Sequence, residues 1–349
     1  MRRRLSHPAL VLALSGALTI GAPLAVTAKT LGGCTTAEAM VFYPNPVVTT
    51  GDTTLTDQKD ADQDVLTNAR RSVTLVGLDG SGFLNGTWAT VKSETGDPAF
   101  EPDCTFDYTR HDDRFEQVMA YYWVTWSQLY LRSLGFGTTA DWPAINADQQ
   151  RVRINQLGQD NSFATDHPRD ELRFGKGGVD DAEDAEVILH ELGHQIHFSQ
   201  SSTFFASAEA GSISEGWGDY WAGNGVEVAL AQAGLPPSAD PACIADWDSV
   251  SYTAGPIHCL RRLDTTLMYP ADLNGRVHHD GQIWSHALWN LRTAIGPTHA
   301  NTAILWAQFD WTGSTMTALA QRIVDQVVHR YGAGEGALAV AAFQDRGIL

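Results

Sequence analysis

The chain has 349 residues, of which 43% are hydrophobic and 18% are charged. This is the composition of an ordinary folded protein, and it excludes the disordered, coiled-coil and collagen-like classes. Acidic residues outnumber basic ones by 41 to 23, which gives a net charge of −18. Such a surface repels phosphate backbones, so nucleic-acid binding is also excluded.

Residues 1–28 have the pattern of a secretory signal peptide. Basic residues at Arg2 to Arg4 precede an apolar stretch from Leu10 to Ile20, and Val26 to Ala28 supplies small residues for cleavage. A membrane anchor is the alternative, but Ser15 interrupts the apolar stretch, which is short against the roughly 20 residues that a spanning helix needs. We therefore expect a secreted protein, extracellular or periplasmic, with no membrane segment after cleavage.

Four cysteines follow the signal peptide, at positions 34, 104, 243 and 259. An even number in an oxidising compartment indicates two disulfides, for which three pairings exist. The spacing favours one bridge in each half of the chain, Cys34 with Cys104 and Cys243 with Cys259.

The first half of the chain alternates β-favouring runs with turn residues and contains one helical pattern. Apolar residues at three- and four-residue steps predict a long helix from Asp113 to Leu134, with its aromatic stripe in the core. Four β-favouring runs predict strands at Met40–Tyr43, Val73–Val76, Arg151–Asn155 and Leu172–Phe174.

The second half has mainly helical spacing. We expect a β-rich N-terminal lobe with one long helix over residues 29–183, and a helical C-terminal lobe over residues 184–349. Helical patterns in this half cover Ala182–Ser199, Ser212–Gly223, Gln282–Ala294 and Thr315–Tyr331.

The acidic run Asp60–Asp64 resembles the start of a calcium-binding loop. The sixth and twelfth positions of such a loop require Gly and Glu, but here they are Val65 and Arg71. The run is therefore interpreted as a solvated acidic turn, and calcium binding has no motif to support it.

The segment His190-Glu191-Leu192-Gly193-His194 is the pattern with the clearest chemical meaning. Residues four apart on a helix lie one turn apart on one face, so both histidines can bind one metal ion. Glu191 points to the side, where it can act as the general base toward a water molecule. One helical turn therefore supplies two ligands and a base for one catalytic Zn²⁺ ion.

A third ligand is needed, and its position separates the families that share this motif. Metzincins place a third His six residues after the second, but that position is Gln200. Glu215, on a second predicted helix, offers the alternative of a two-His, one-Glu site. Asp219 lies one turn further along the same face and can accept a hydrogen bond from the remote nitrogen of a ligand histidine.

With these residues the chain resembles the thermolysin-like gluzincin metallopeptidases, and more closely the fungalysins. The segment from Ser212 to Asp219 is similar to the fungalysin pattern G-M-G-E-G-W-S-D. The segment from Val277 to Trp289 is similar to V-H-x-x-G-x-x-W-x-x-x-L-W. Residues 177–184 and 342–347 also fit, so the resemblance covers roughly residues 100–349.

The resemblance implies an α+β fold of the thermolysin-like, two-lobed type, with the zinc helix between the lobes. It implies that His278 stabilises the oxyanion and that Asn161 and Ser162, in an edge-strand motif, hold the peptide backbone of the substrate. It also implies that Arg261 or Arg262 holds a substrate carbonyl. The expected function is a secreted zinc endopeptidase acting on peptides or proteins, as a monomer.

Two other functions are compatible with the same residues. One is an exported zinc-binding protein without peptidase activity, because no Tyr lies between Ser199 and Ser214 to assist at the oxyanion. The other is a zinc amidase acting on cell-wall peptides.

The usual Asp partner of the oxyanion His is replaced by Leu273, which leaves Asp272 and Asp280 as candidates for the partner of His278.

The remaining histidines near these motifs are expected to have no catalytic role. His197 is interpreted as a peripheral polar residue, and His279 and His286 as solvated or packed side chains. Val187, one turn before the ligand pair, is a candidate for the wall of an apolar pocket.

Overall fold

The computed structural model describes residues 33–253 and 258–349, so the predicted signal peptide lies outside the described residues. Within these ranges the strands are β1 (Thr36–Phe42), β2 (Arg70–Val76), β3 (Ala89–Ser93), β4 (Thr105–Phe106), β5 (Gln150–Leu157), β6 (Phe163–Thr165), β7 (Glu171–Gly175), β8 (Cys243–Ile244) and β9 (Arg261–Arg262). The helices are α1 (Pro46–Thr50), α2 (Asp64–Ala69), α3 (Arg114–Ser133), α4 (Ala185–Gln200), α5 (Ala208–Gln232), α6 (Val277–Ile295), α7 (Pro297–Gln308), α8 (Met316–Tyr331) and α9 (Ala333–Gln344).

The strands of the first half form two sheets. The first sheet has the order β2-β1-β4, with β1 antiparallel to β2. The second has the order β3-β5-β7-β6, in which β3, β5 and β7 are parallel and β6 is an antiparallel edge strand. The four strands predicted from the sequence correspond to β1, β2, β5 and β7; each is longer in the structure, and β1 begins earlier than predicted but ends at Phe42, one residue before the predicted end.

Helix α3 packs against strands of both sheets and against α4. Of the predicted aromatic stripe, Phe115 and Trp126 are buried in the core, and Tyr122 is partly buried against it. Leu129, which the periodicity assigned to the same stripe, is exposed instead. The helix therefore joins the sheet layers to the helical half.

The helical half is built on α4, α5 and α6, which pack side by side, with α7, α8 and α9 against them. The predicted helical patterns correspond to α4, α5, α6 and α8. Helix α5 is longer than its pattern, because burial on nearly all sides replaces the amphipathic periodicity. Helices α7 and α9 were not predicted from the sequence.

Two disulfides connect segments of the chain, one within each half. Cys34 is bonded to Cys104, and Cys243 is bonded to Cys259. In the part of the chain that the structure describes, no helix combines the length and apolar character needed to cross a membrane. The boundary between the lobes at residues 183 and 184 stays a prediction.

Candidate active site

Helix α4 presents His190 and His194 on one buried face. The helix begins after Asp184, whose side chain accepts a hydrogen bond from the backbone N–H of Glu186 at 2.9 Å. Both histidine rings are buried, and their centroids are 4.9 Å apart. The four-residue spacing therefore brings the two imidazoles together, as the sequence predicted.

Glycines allow α5 to cross α4 close to these rings. A Cβ atom on Gly218 would lie 2.7 Å from Nδ1 of His190, and one on Gly193 would lie 3.0 Å from Cα of Gly218. These distances leave no space for a side chain. Close contact at this crossing places Glu215 of α5 against the histidine pair.

Glu215 completes a group of three metal-ligating side chains. One carboxylate oxygen lies 3.4 Å from Nε2 of His190, and the other lies 3.7 Å from Nε2 of His194. One ligand atom from each of the three residues falls within 4.8 Å of the others. Glu215 Oε2 is buried and receives no hydrogen bond from the described residues. This donor set and the unpartnered oxygen fit a Zn²⁺ ion.

The remote nitrogens of both histidines have hydrogen-bond partners. His190 Nδ1 lies 2.9 Å from Asp219 Oδ1, and His194 Nδ1 lies 3.0 Å from the hydroxyl of Ser214. Partners of this kind orient an imidazole and direct its other nitrogen toward a metal. The sequence indicated Asp219, but the role of Ser214 was missed, because a serine inside a helix carries no distinguishing pattern.

Arg261 lies against the same carboxylate. It donates hydrogen bonds from Nε and Nη2 to Asp219 at 2.7 to 2.9 Å, and its Nη2 is 3.4 Å from His190 Nδ1. Arg262 points elsewhere and pairs with Asp240 and Asp264. Of the two arginines that the sequence left open, Arg261 is therefore the one at the site.

Burial and charge shift the pKa values of the site residues in opposite directions. Burial raises the pKa of Glu191 to about 7. Burial also lowers the pKa of His194 to about 4. For His190, burial alone would lower the pKa, but the hydrogen bond that its ring donates to Asp219 and the adjacent carboxylate of Glu215 raise it to about 10. For Glu215, burial is outweighed by His194 and His190, which lower the pKa to about 2.

His278 enters the site from the first turn of α6. A Cβ atom on Gly216 would lie 2.2 Å from the carbonyl oxygen of Gly281, so α5 and α6 also cross at glycines. This crossing brings His278 Nε2 to 3.2 Å from Glu215 Oε2. The side chain is 63% exposed, and its pKa is lowered by burial of its inner side. His278 therefore lies at the rim of the cleft, beside the carboxylate of Glu215.

Asn161 and Ser162 precede the edge strand β6 and line the cleft. Ser162 donates a hydrogen bond to Asp181, which lies in the short turn before α4. An edge strand leaves backbone N–H and C=O groups unpaired, and an extended peptide can bind to them.

A small pocket with a volume of about 90 Å³, open to solvent, adjoins the metal-ligating group. Its walls include Glu191, Arg261 and His278, and also Val187, as predicted. The pocket has other polar wall residues that were not predicted from the sequence, namely Asp181, Glu186, Asp248 and Tyr252. Asp248 and Tyr252 belong to an irregular loop without periodicity, so the sequence carried no signal for them.

Several side chains differ from the sequence-based interpretation. His197 is not peripheral: it is fully buried, stacks on Phe204 at 3.5 Å and contacts Ser214. Asp280 accepts hydrogen bonds from the backbone N–H groups of Asn274 and Gly275 and lies next to His279 Nδ1, and among the described residues it has no contact of this kind with His278.

The other positions considered from the sequence have structural partners. Asp272 accepts from the backbone of Met268, and His286 Nδ1 lies 2.7 Å from the carbonyl of Thr265. Asp60 is only partly a solvated turn residue, because it lies 3.6 Å from the buried guanidinium of Arg110. None of these contacts forms part of the candidate site.

A second buried acidic group lies behind α4 and contains Asp184, Glu186 and Asp246. Protein groups donate to all three: Asn45 Nδ2 to Asp246, the backbone of Ala245 to Glu186, and the backbone of Trp247 and Asp248 to Asp184. These bonds fix the start of α4 to the loop after β8. Calcium binding, for which the sequence has no supporting motif, stays untested.

No protein-family model matches this chain, and no curated protein sequence matches it. Among solved structures, the chain is similar to the precursor of protealysin, a metalloproteinase from Serratia proteamaculans. The TM-score is 0.55 and the identity 15%, over 75% of this chain and 87% of that chain. At this identity the likeness shows the fold. It confirms the α+β, thermolysin-like class with a strand-rich and a helical lobe, while closeness to the fungalysins stays a prediction.

Proposed function

We propose that this protein is a secreted, zinc-dependent endopeptidase. The observation that carries the proposal is the convergence of His190, His194 and Glu215 within 4.8 Å, with the carboxylate of Glu191 beside them in the same cleft. Two histidines and one carboxylate leave a coordination position open, as catalytic zinc sites require. The similarity to a metalloproteinase precursor agrees with this chemistry.

His190, His194 and Glu215 would hold the zinc ion, and Asp219 and Ser214 would fix the two rings. When bound, zinc would polarise the scissile carbonyl and bring the pKa of a water ligand to about 7. The chain's own residues supply the remaining steps.

Glu191 is the group that moves the proton. Its pKa of about 7, raised by burial, lets it take a proton from the attacking water and release it to the leaving nitrogen. Its Oε2 has no hydrogen-bond partner among the described residues, so it is free to do so. His278 at the rim donates a hydrogen bond to the oxygen that becomes negative in the transition state. Asn161 and Ser162 hold the peptide backbone.

Secretion rests on two features of the sequence and structure. The first 28 residues have the order of charge, apolar stretch and small residues that signal peptidase recognises. All four cysteines are paired in disulfides, which form and persist in oxidising compartments. A peptide or protein substrate and a monomeric state belong to the same proposal.

Metal analysis and casein hydrolysis, with and without a chelator, test the proposal. The mature protein should contain one zinc per chain, and the chelator should remove both the metal and the activity. Glu191→Gln should keep zinc and lose hydrolysis, whereas Glu215→Ala should lose zinc. Glu335→Gln, a matched change on α9, should alter neither.

The same experiment separates the alternatives. A protein that holds zinc but leaves casein intact would be the exported zinc-binding protein. Hydrolysis of a soluble peptidoglycan fragment without hydrolysis of casein would identify a cell-wall amidase. Full zinc content in Glu215→Ala would show that Glu215 is not the third ligand.

A further inference from the structure

The pocket beside the candidate zinc site has apolar walls and an acidic end. Val187, Ile244 and Leu260 provide apolar surface near Glu191. Asp181 and Asp248 provide carboxylates in the same pocket. A pocket built only for aliphatic side chains would have no reason to contain two buried carboxylates, because each costs free energy to bury without a partner.

These carboxylates form a compact group with Asp160. One oxygen from each of Asp160, Asp181 and Asp248 lies within 4.8 Å of the others. Asp181 and Asp248 are each only 2% exposed. Asp181 Oδ1 and Asp248 Oδ1 are buried and have no hydrogen-bond partner among the described residues. Two independent buried side chains therefore present an unpaired acceptor at one end of the pocket.

No Lys, Arg or His side chain of the described residues forms an ion pair with this group, that is, with Asp160, Asp181 or Asp248. Arg261 is the nearest guanidinium in the pocket wall, but Asp219 holds it in a two-oxygen pair. Tyr252 donates its hydroxyl to Asp160, and Ser162 donates to Asp181, which satisfies one oxygen on each.

Because these carboxyl groups have no counter-ion in an ion pair within the described ranges, their ionised forms are unfavourable in the pocket. Burial raises the pKa of Asp181 to about 7, and the neighbouring Asp160 adds to the effect. Burial and the charges of Asp181 and Asp160 raise the pKa of Asp248 well above its usual value. A cation entering the pocket would stabilise the ionised form of both groups.

We propose that this acidic group, defined by Asp160, Asp181 and Asp248, selects substrates with Lys or Arg immediately after the cleaved bond. This inference rests on the proposed peptidase function. The apolar walls accommodate the methylene stem of such a side chain, while its charged end meets the carboxylates. The position follows from Glu191: it lines this pocket and delivers the proton to the leaving nitrogen, so the residue that carries that nitrogen has its side chain here.

An apolar side chain in this pocket would cover the carboxylates without pairing them. Sites with buried polar groups discriminate strongly against ligands that leave those groups unpaired. An acidic side chain would add like-charge repulsion. We therefore expect kcat/KM to be at least about tenfold higher for Lys or Arg than for Leu at this position, and lowest for Glu.

Matched fluorogenic peptides test the inference. They differ only in the residue after the cleaved bond, which is Lys, Arg, Leu or Glu, and the cleaved bond is identified by mass spectrometry. Asp248→Asn and Asp181→Asn preserve shape and remove charge, and each should lower the Lys-to-Leu ratio of kcat/KM at least about fivefold. The exposed Asp141→Asn is the charge control and should leave the ratio unchanged. Because the readout is a ratio, partial loss of folded enzyme does not affect it.

The outcomes separate this inference from the function on which it rests. Absence of cleavage of any peptide or of casein would refute the peptidase function. Cleavage with equal rates for Lys and Leu, or a preference for basic residues before the bond, would refute the acidic pocket while the peptidase function stands. Calorimetry with Ca²⁺ alone provides a further arm: tight binding that Asp248→Asn abolishes, with the Lys-to-Leu ratio unchanged, would overturn the proposal in favour of a metal site.

Discussion

Replacement of Asp219 by Asn tests the support of the candidate zinc ligand His190. Asp219 lies at the centre of a buried group, 2.9 Å from His190 Nδ1 and bonded to Arg261 through both carboxylate oxygens. Its side chain is 1% exposed. The amide is isosteric but neutral, so the substitution leaves the charge of Arg261 buried without its counter-ion.

Two effects with different magnitudes should follow. Loss of one partner of a buried ion pair typically costs about 3–5 kcal/mol of folding stability. Loss of the partner that orients a ligand histidine typically costs about 10- to 100-fold in metal affinity. Asp219→Asn should therefore bind zinc at least about tenfold more weakly and melt at least about 5 °C lower in the metal-free state.

The neighbouring arginine provides a matched control. Arg262 pairs with Asp264 through two hydrogen bonds of 2.6 and 2.8 Å, but the carboxylate is 48% exposed. An exposed pair of this kind contributes about 0–1 kcal/mol, so Asp264→Asn should change little.

The assays are competition with a fluorescent zinc chelator and thermal unfolding in the presence of a metal chelator. Equal zinc affinity for Asp219→Asn and the wild-type protein would show that Asp219 does not support His190. Equal melting temperatures for Asp219→Asn and Asp264→Asn would show that the buried ion pair contributes no more to stability than the exposed one.

Three further predictions concern catalysis, the disulfide and a buried acid. His278→Ala should keep zinc and lower kcat at least about 100-fold with KM within a few-fold in steady-state kinetics; near-normal kcat would remove His278 from the site. Reduction of Cys243–Cys259, which closes a loop with a sequence separation of 16, should cost about 3 kcal/mol in urea unfolding, and an unchanged midpoint would contradict this. Glu116 is fully buried, and neither of its carboxylate oxygens has a hydrogen-bond partner among the described residues; burial, then the charges of Asp180 and Glu183, raise its pKa well above 4.5. The stability that its proton provides is complete below pH 4.5 and is lost as the pH rises, so Glu116→Gln should raise the melting temperature more at pH 8 than at pH 5; equal shifts would refute this.

Local patterns in the sequence were sufficient to predict features that depend on a single helical turn or a single strand. The pair His190 and His194 is an example, because their relative position depends only on helix geometry. The strands at β1, β2, β5 and β7 and the helices α3, α4, α6 and α8 follow from alternation and three- to four-residue periodicity in the same way. Helices α7 and α9 were missed because Gly296 and Gly332 break the chain between them and their neighbours, and because α9 is rich in Ala and has almost no amphipathic pattern.

Features that combine distant parts of the chain required the tertiary structure. Arg261 and Arg262 are adjacent and chemically identical, and only the packing of β9 against β8 and α6 turns one toward Asp219 and the other toward Asp240 and Asp264. His197 looked peripheral, but Phe204 and Trp217 bury it.

The sequence by itself predicted the two histidines of the candidate metal site, because their relative position follows from a four-residue spacing on one helix. It predicted the class of fold through the resemblance of its motifs to a known family. The character of the pocket was decided by tertiary structure. Asp181 precedes α4 and Asp248 lies in a loop after α5, and neither position is distinctive alone. They become one acidic group only when α4 and α5 pack together, since electrostatic interaction depends on distance in space and not on separation along the chain.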